Sequence, residues 1–439
     1  MRIRQHIYTR ERRGIFSHTE GYDTIAASKG LSESFIKEFI HPYCSYAPSR
    51  SLHAENADWE DYPRGIIVAP YSSGHILLGQ AVHVPRDFTG QRSAFFMHNY
   101  ILPPDFDLSD TWEGVGIVDN ISHVEFRTSY NITDGSVLPE LDTLPIKPDM
   151  HLYGKPKSRQ KLKAPYPEFS SSKLETTLTS LDITPTIFAK LLAHIAESIV
   201  GQKKTYVIVP VPPKEMTDYV LKLLKLIYHF LPKVSNRILG FCTYSREPVA
   251  MKGIHLNFQE NIPHVSPHLK QNFVIDLKEK SADLGFFASY IYDRIWTGEQ
   301  LRDTLFLKIL DPESLSQESL IRIPEPLIQA GKNSESPESF VVLEILRKAA
   351  LCLSTGQPIN IRYLLGSYRL SLEANAKIMG KLKQMYRAYL TPPNYENIAY
   401  LFRLSPEGYL DEAGLKSYAA ESNDSGIAFL KWAAETKQL

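Results

Sequence analysis

The sequence predicts a multidomain protein of mixed α+β and α/β class: a β-rich N-terminal domain, a middle domain on a partly parallel sheet, and an all-helical C-terminal region. Three observations predict it. Short apolar runs punctuated by turn residues fill positions 1–150. After residue 184 an apolar run, an amphipathic helix and a second apolar run follow one another. From residue 338 onward the apolar positions recur with a helical period. At 439 residues the chain is also too long for one hydrophobic core. The boundaries that follow are 1–150 for the N-terminal domain, 151–183 for a basic Pro/Ser-containing linker, 184–310 for the middle domain, 311–337 for a second linker and 338–439 for the helical region.

In the first part, strands are expected at Ile3–Tyr8, Gly65–Val68, His75–Val84, Ser93–Ile101 and His123–Thr128, where β-branched and aromatic residues gather between turn signals. Phe35–Ile40 reads as a short helix that stops before Pro42, because the residue preceding a proline is pushed out of the helical region. The following stretch, YGKPKSRQKLKAPYPEFSSS, has little hydrophobic periodicity and reads as a linker.

The middle part opens with the clearest helix in the chain. Thr184 and Pro185 supply an N-cap and a first-turn proline; Phe188, Leu191, Leu192, Ile195 and Ile199 share one face, and Gly201 closes it. A strand over Thr205–Val211, a helix over about Lys214–Leu231 and a strand over Arg237–Thr243 make a strand-helix-strand unit. A connection of that length joins parallel strands most simply, and Gly253–Phe258 and Asn272–Leu277 extend the sheet. Ligands of such sheets gather beyond the carboxyl ends of the strands, here the loop Pro210–Glu215, which contains no glycine. In the last part, SFVVLEILRKAALCL, NIRYLLGSY, LEANAKIMGKLKQMYRAYL, YENIAYLFRL and GIAFLKWAAE read as helices suited to a bundle that recruits a partner or a second copy.

Forty-nine basic residues balance forty-nine acidic ones, so no global field recruits a nucleic-acid backbone or an anionic membrane. Three widely spaced cysteines, Cys44, Cys242 and Cys352, fit a reducing compartment and no disulfide framework. The N-terminus has no apolar stretch behind its charges, and no run approaches the roughly 20 apolar residues of a membrane span. A cytoplasmic protein without a membrane anchor is expected.

Tests for chemistry return little. No P-loop or dinucleotide fingerprint occurs, and no second Cys/His pair completes a zinc set with His41 and Cys44. His53-Ala54-Glu55 and His123-Val124-Glu125 match half of a zinc-deaminase signature whose P-C-x-x-C half is missing. No catalytic residue, cofactor or metal is therefore assigned. Cys44 near His41 is the one pair at which a nucleophile could be sought. The cluster Arg2, Arg4, Arg10, Arg12 and Arg13, with Tyr8 and Tyr22 nearby, mixes charge with aromatic rings. Its charge is offset by Glu11, Glu20 and Asp23, which argues for a solvated or ion-paired surface or for protein recognition before nucleic acid. The candidate partner-binding residues are Tyr8, Arg10, Arg12, Arg13, Tyr22, Ser28 and Lys29.

Three blocks, in order, resemble the GTPase-associated proteins of bacterial conflict systems: QHIYTRERRGIF with GYDTIAASKGL (residues 5–31), the R-x-S-x-F-x-M-H-x-x-I-L-P stretch (92–103), and Val211-Pro212-Pro213 leading through a helix to FLPKVSNRILGFCTYSREP (230–248). They span about the first 260 residues. The resemblance implies a non-enzymatic adaptor or regulatory scaffold in a defence system, coupling a GTPase encoded nearby to an effector. It transfers no catalytic residue. The chain ends after about one hundred residues of helix, where members of that group are often longer. An enzyme with an unrecognised hydrolase or nucleic-acid-processing site, and a nucleic-acid-binding protein, are the alternatives.

Overall fold

The computed structural model describes residues 2–104 apart from 72, 123–146, 171–200, 203–230, 239–260 apart from 249, 271–296, 337–357, 370–388 and 423–436, with a few isolated positions between them. Among the described residues ten strands form one sheet: β1 (Arg4–Glu11), β2 (Gly21–Ser28), β3 (Gly65–Pro70), β4 (Ile76–Val84), β5 (Ala94–Leu102), β6 (Val137–Leu138), β7 (Thr205–Ile208), β8 (Phe241–Ser245), β9 (Leu256–Gln259) and β10 (Phe273–Asp276). Their spatial order is β10-β7-β9-β8-β3-β4-β5-β1-β2-β6.

The sheet changes character at one seam. From β3 through β4, β5 and β1 to β2 every pairing is antiparallel, as the short connections of β1–β2, β3–β4 and β4–β5 dictate for those pairs, while β8, β9, β7 and β10 are mutually parallel. The two halves meet where β3 pairs antiparallel with β8, placing Ile67 opposite Cys242 and Val68 opposite Phe241. The seam is bolted on both sides. Ile66 N–H donates to Thr243 Oγ1 (2.8 Å), whose hydroxyl donates to Arg64 O (2.9 Å). Tyr43 Oη donates to Lys252 O (2.6 Å), and within the parallel half Lys204 Nζ secures the same β8–β9 connection by donating to the carbonyls of Met251 and Ile254.

Helix α1 (Ser171–Ser180) lies inside the stretch expected as linker, whose residues 151–170 fall outside the described residues. Helix α2 (Pro185–Val200) begins as expected: Thr184 accepts from Ile187 N–H through its hydroxyl at 3.4 Å and from Phe188 N–H through its carbonyl. Helix α3 (Pro213–Phe230) links β7 to β8; the two strands are parallel, as expected, but β9 lies between them. Helix α4 (Phe286–Trp296) packs on α2.

Two expectations change in the N-terminal part. His123–Thr128 makes no strand; Val124 forms one isolated bridge to Ile146, after a turn in which Val124 N–H bonds back to Ile121 O. The helix expected over Phe35–Ile40 does not stop before Pro42. It passes from an α-turn (Glu33–Phe35) through a π-turn (Ile36–Ile40) into a 3₁₀ turn (His41–Tyr43), where Pro42 occupies a first-turn position whose missing N–H costs nothing. This run buries Ile36, Phe39, Ile40 and Tyr43 on the sheet against Ile67, Leu77, Met97 and Cys242.

The chain divides into two compact units, Met1–Arg302 and Asp303–Leu439. The second contributes helices α5 (Pro337–Thr355), α6 (Leu372–Ala388) and α7 (Asn423–Glu435), with no strand among its described residues. The expected helix NIRYLLGSY lies outside the described residues, as does most of YENIAYLFRL.

Candidate functional site

The N-terminal sheet carries buried polar side chains where an apolar row would be expected, and the register explains how they meet. Residues two apart on a strand share a face, so His6 and Tyr8 lie together. On β5 their partners are Asn99 and Met97. On β2, His6 faces Ala27 and Ile7 faces Ala26, but the register then shifts and Tyr8 faces Thr24 in place of Ile25. That bulge turns Thr24 to the face of His6 and sends Ile25 with Ala26 to the opposite core. The helical run sets His41 and Cys44 over the same patch.

The result is a continuous hydrogen-bonded chain. Asn99 Nδ2 lies 3.1 Å from His6 Nδ1, His6 Nε2 lies 2.8 Å from Thr24 Oγ1, and Thr24 Oγ1 lies 2.8 Å from His41 Nε2. An amide nitrogen can only donate, so His6 Nδ1 accepts and its proton sits on Nε2. His6 therefore donates to the Thr24 hydroxyl, which donates on to His41 Nε2 and leaves the His41 proton on Nδ1. Gly79 makes room for this arrangement, since a Cβ there would stand 2.1 Å from Asn99 Oδ1. Burial drives the pKa of His6 well below the ordinary value, helped by the nearby imidazoles of His41 and His98. Burial also lowers His41, against the pull of the Asp23 carboxylate.

On the other face of β5, His98 repeats the pattern. Arg127 N–H donates to its Nδ1 (3.1 Å), so Nε2 carries the proton toward Gln5 Oε1 (3.2 Å), and burial pulls its pKa down to about 3. Sequence reasoning missed His6, Thr24, His98 and Asn99. The available signal was a polar pair, His98-Asn99, inside a nine-residue run otherwise dominated by apolar and aromatic residues.

His41 and Cys44 are brought close without being joined to each other. The Cys44 thiol donates to Ile40 O (3.4 Å) and receives Asn99 Nδ2 at 3.8 Å. Complete burial raises its pKa above the ordinary thiol value, which disfavours the thiolate needed for nucleophilic attack. At the carboxyl end of β7, Lys214 pairs with Asp61 (2.8 Å), a bond that raises the lysine's pKa. Among the described residues no three metal-ligating side chains converge.

Of the residues singled out for partner binding, five share one end of the sheet. Tyr8 stacks on Tyr22 (ring centroids 6.1 Å) and Tyr22 on Phe95 (4.5 Å), and Tyr22 Oη accepts from Phe95 N–H (3.2 Å). Arg10 pairs with Asp87 at 3.1 Å, Arg12 lies 5.8 Å over the Phe88 ring, and Arg13 is exposed. Ser28 and Lys29 lie at the far end of β2, roughly 20 Å away at about 3.3 Å per residue. Ser28 is buried, accepting from Gln5 N–H and donating to Pro139 O, whereas Lys29 is exposed.

Two comparisons bear on these residues. Residues 2–144, which include the whole hydrogen-bonded chain, match the N-terminal domain type 2 of GTPase-associated protein 1, and residues 177–279 match the middle domain of the same protein family. The chain belongs to the GTPase-associated protein 1 family. The antiparallel half of the sheet lies in the matched N-terminal domain and the parallel strands β7 to β10 in the matched middle domain of this GTPase-associated protein, so the β3/β8 seam joins the two. No curated protein and no solved structure matches the chain. No helix among the described residues of this family member is long and apolar enough to cross a membrane.

Proposed function

We propose that this chain is a non-enzymatic adaptor of a cytoplasmic bacterial defence system, which binds a GTPase encoded nearby and couples it to an effector. The observation that carries the proposal is the match of two successive segments to the N-terminal and middle domains of GTPase-associated protein 1. The exposed arginine and tyrosine side chains at the end of β1 and β2 support a protein contact there, because these residue types dominate interface energetics. The helices of the second unit are the proposed place for an effector or a second copy.

Co-purification of the full chain with the neighbouring GTPase, loaded with GDP or with a non-hydrolysable GTP analogue, tests the proposal. Association that differs between the two nucleotide states supports it. Failure to associate in either state removes it.

A further inference from the structure

The loop between β4 and β5 closes on itself beside the end of β1. Asp87 N–H bonds to Arg92 O (2.7 Å) and Gly90 N–H to Asp87 O (2.8 Å), while the Asp87 carboxylate accepts from the Thr89 hydroxyl and N–H. Those bonds set Arg86 and Arg92 at the two feet of the loop, both exposed. The Arg10 to Asp87 ion pair then ties the loop to β1 and takes up the buried Asp87 carboxylate. Arg12, laid over Phe88, is held against the same loop.

Four exposed guanidinium groups, those of Arg12, Arg13, Arg86 and Arg92, thus come together from segments more than seventy positions apart, and none of them has an ion pair among the described residues. Beside them stand two apolar anchors, Tyr22 and Ile15, each 39% exposed. We infer that this end of the sheet is a docking surface for an acidic protein segment. Guanidinium forks match carboxylates in pairs, and exposed aromatic and aliphatic side chains between them favour a polypeptide partner. A nucleic-acid backbone would pair with the guanidinium groups but leave the exposed aliphatic side chain of Ile15 without an apolar partner. The inference rests on the adaptor reading only in treating this face as a contact surface; it does not require the partner to be a GTPase.

The test uses the full chain and two labelled probes, a polyglutamate peptide and an oligothymidylate of equal charge, with fluorescence anisotropy at about 50 mM and 200 mM salt. The comparison variant is Arg12→Glu/Arg86→Glu/Arg92→Glu, checked for an unchanged unfolding midpoint. The expected result is salt-sensitive binding of polyglutamate, weakened about tenfold or more in the variant, with weaker binding of the oligonucleotide. A variant that binds polyglutamate as the parent does, no polyglutamate binding at the lower salt, or preferred binding of the oligonucleotide would each overturn it. Retention of the GTPase by a variant that has lost the peptide would leave the adaptor reading intact and place the GTPase elsewhere.

Discussion

His6 and His41 meet at a single hydroxyl: the Nε2 atoms of both imidazoles lie 2.8 Å from Thr24 Oγ1. One hydroxyl has one proton to donate, so the two histidines must play opposite roles, and Asn99 on the far side of His6 decides which. Strands β1, β2 and β5 and the helical run over them are thereby locked into one proton arrangement. A second proton on His41 would point at an oxygen already receiving one from His6.

Replacing Thr24 by valine keeps the shape and removes the shared partner of two ring nitrogens. The expected loss is about 1–3 kcal/mol in unfolding free energy by urea titration, with Thr24→Ser close to the parent. Equal stability of the valine and threonine forms would show that the relay contributes nothing to the fold.

The buried histidines set the acid limit of stability. His6, His98 and His255 all have pKa values below 6.5, with His98 at about 3 and His255 at about 4, each chiefly through burial. Above pH 6.5 both folded and unfolded chains hold them neutral, so pH has no effect through them. Below it the unfolded chain takes up protons that the folded chain refuses, and stability falls at about 1.4 kcal/mol per pH unit for each histidine. Unfolding curves between pH 7 and pH 5 should show this decline, and His98→Gln should lessen its slope by one histidine's share, about 1.4 kcal/mol per pH unit.

Gly14 is the tightest approach in the loop after β1. A Cβ there would stand 2.1 Å from Asp23 Oδ2, which receives the N–H groups of Phe16 (2.9 Å) and Ser17 (2.7 Å). Gly14→Ala should push the loop off that carboxylate at a cost of about 1–3 kcal/mol and make the Phe16 and Ser17 amides exchange faster with solvent. Unchanged exchange would mean that the loop accommodates the methyl.

In the parallel half beside the seam, Lys204→Met removes the ammonium that gathers the Met251 and Ile254 carbonyls. Hydrogen exchange at His255 and Leu256, whose N–H groups both bond to Gly240 O, should quicken about tenfold or more, since a charge-assisted bond contributes about 1.5–3 kcal/mol. Tyr43→Phe should act in the same direction from the other side of the seam.

Thiol chemistry offers a direct check on Cys44. Cys44 and Cys242 are buried and their pKa values are raised by burial, whereas Cys352 is partly exposed. A maleimide should therefore modify Cys352 first in the folded chain, with the other two reacting only on unfolding. Rapid labelling of Cys44 would reopen the search for a nucleophile there.

Much of this protein was legible in order along the chain. The antiparallel strands β3, β4 and β5 announced themselves through β-branched runs between turn residues, and α2 through its cap and its apolar stripe. The parallel strands followed from the length of the connection between β7 and β8. These are local properties, set by side-chain sterics and by the period of burial. Strand β2 escaped notice because its sequence, GYDTIAAS, is rich in Gly, Asp, Ala and Ser and lacks the run of β-branched and aromatic residues that marked the others. The ordering of β9 between β7 and β8 depends on pairings across about 50 positions, and the joining of the two family domains at Ile67 and Cys242 on pairings across about 175. The relay depends on a one-residue bulge that no local signal marks. Composition and spacing were thus enough to determine the class of the fold and the list of arginines and tyrosines at its N-terminus. Only the tertiary structure decided that His6, Thr24, His41 and Asn99 form one chain, and that Arg86 and Arg92 join Arg12 and Arg13, because both outcomes are set by strand register and loop closure between segments distant in sequence.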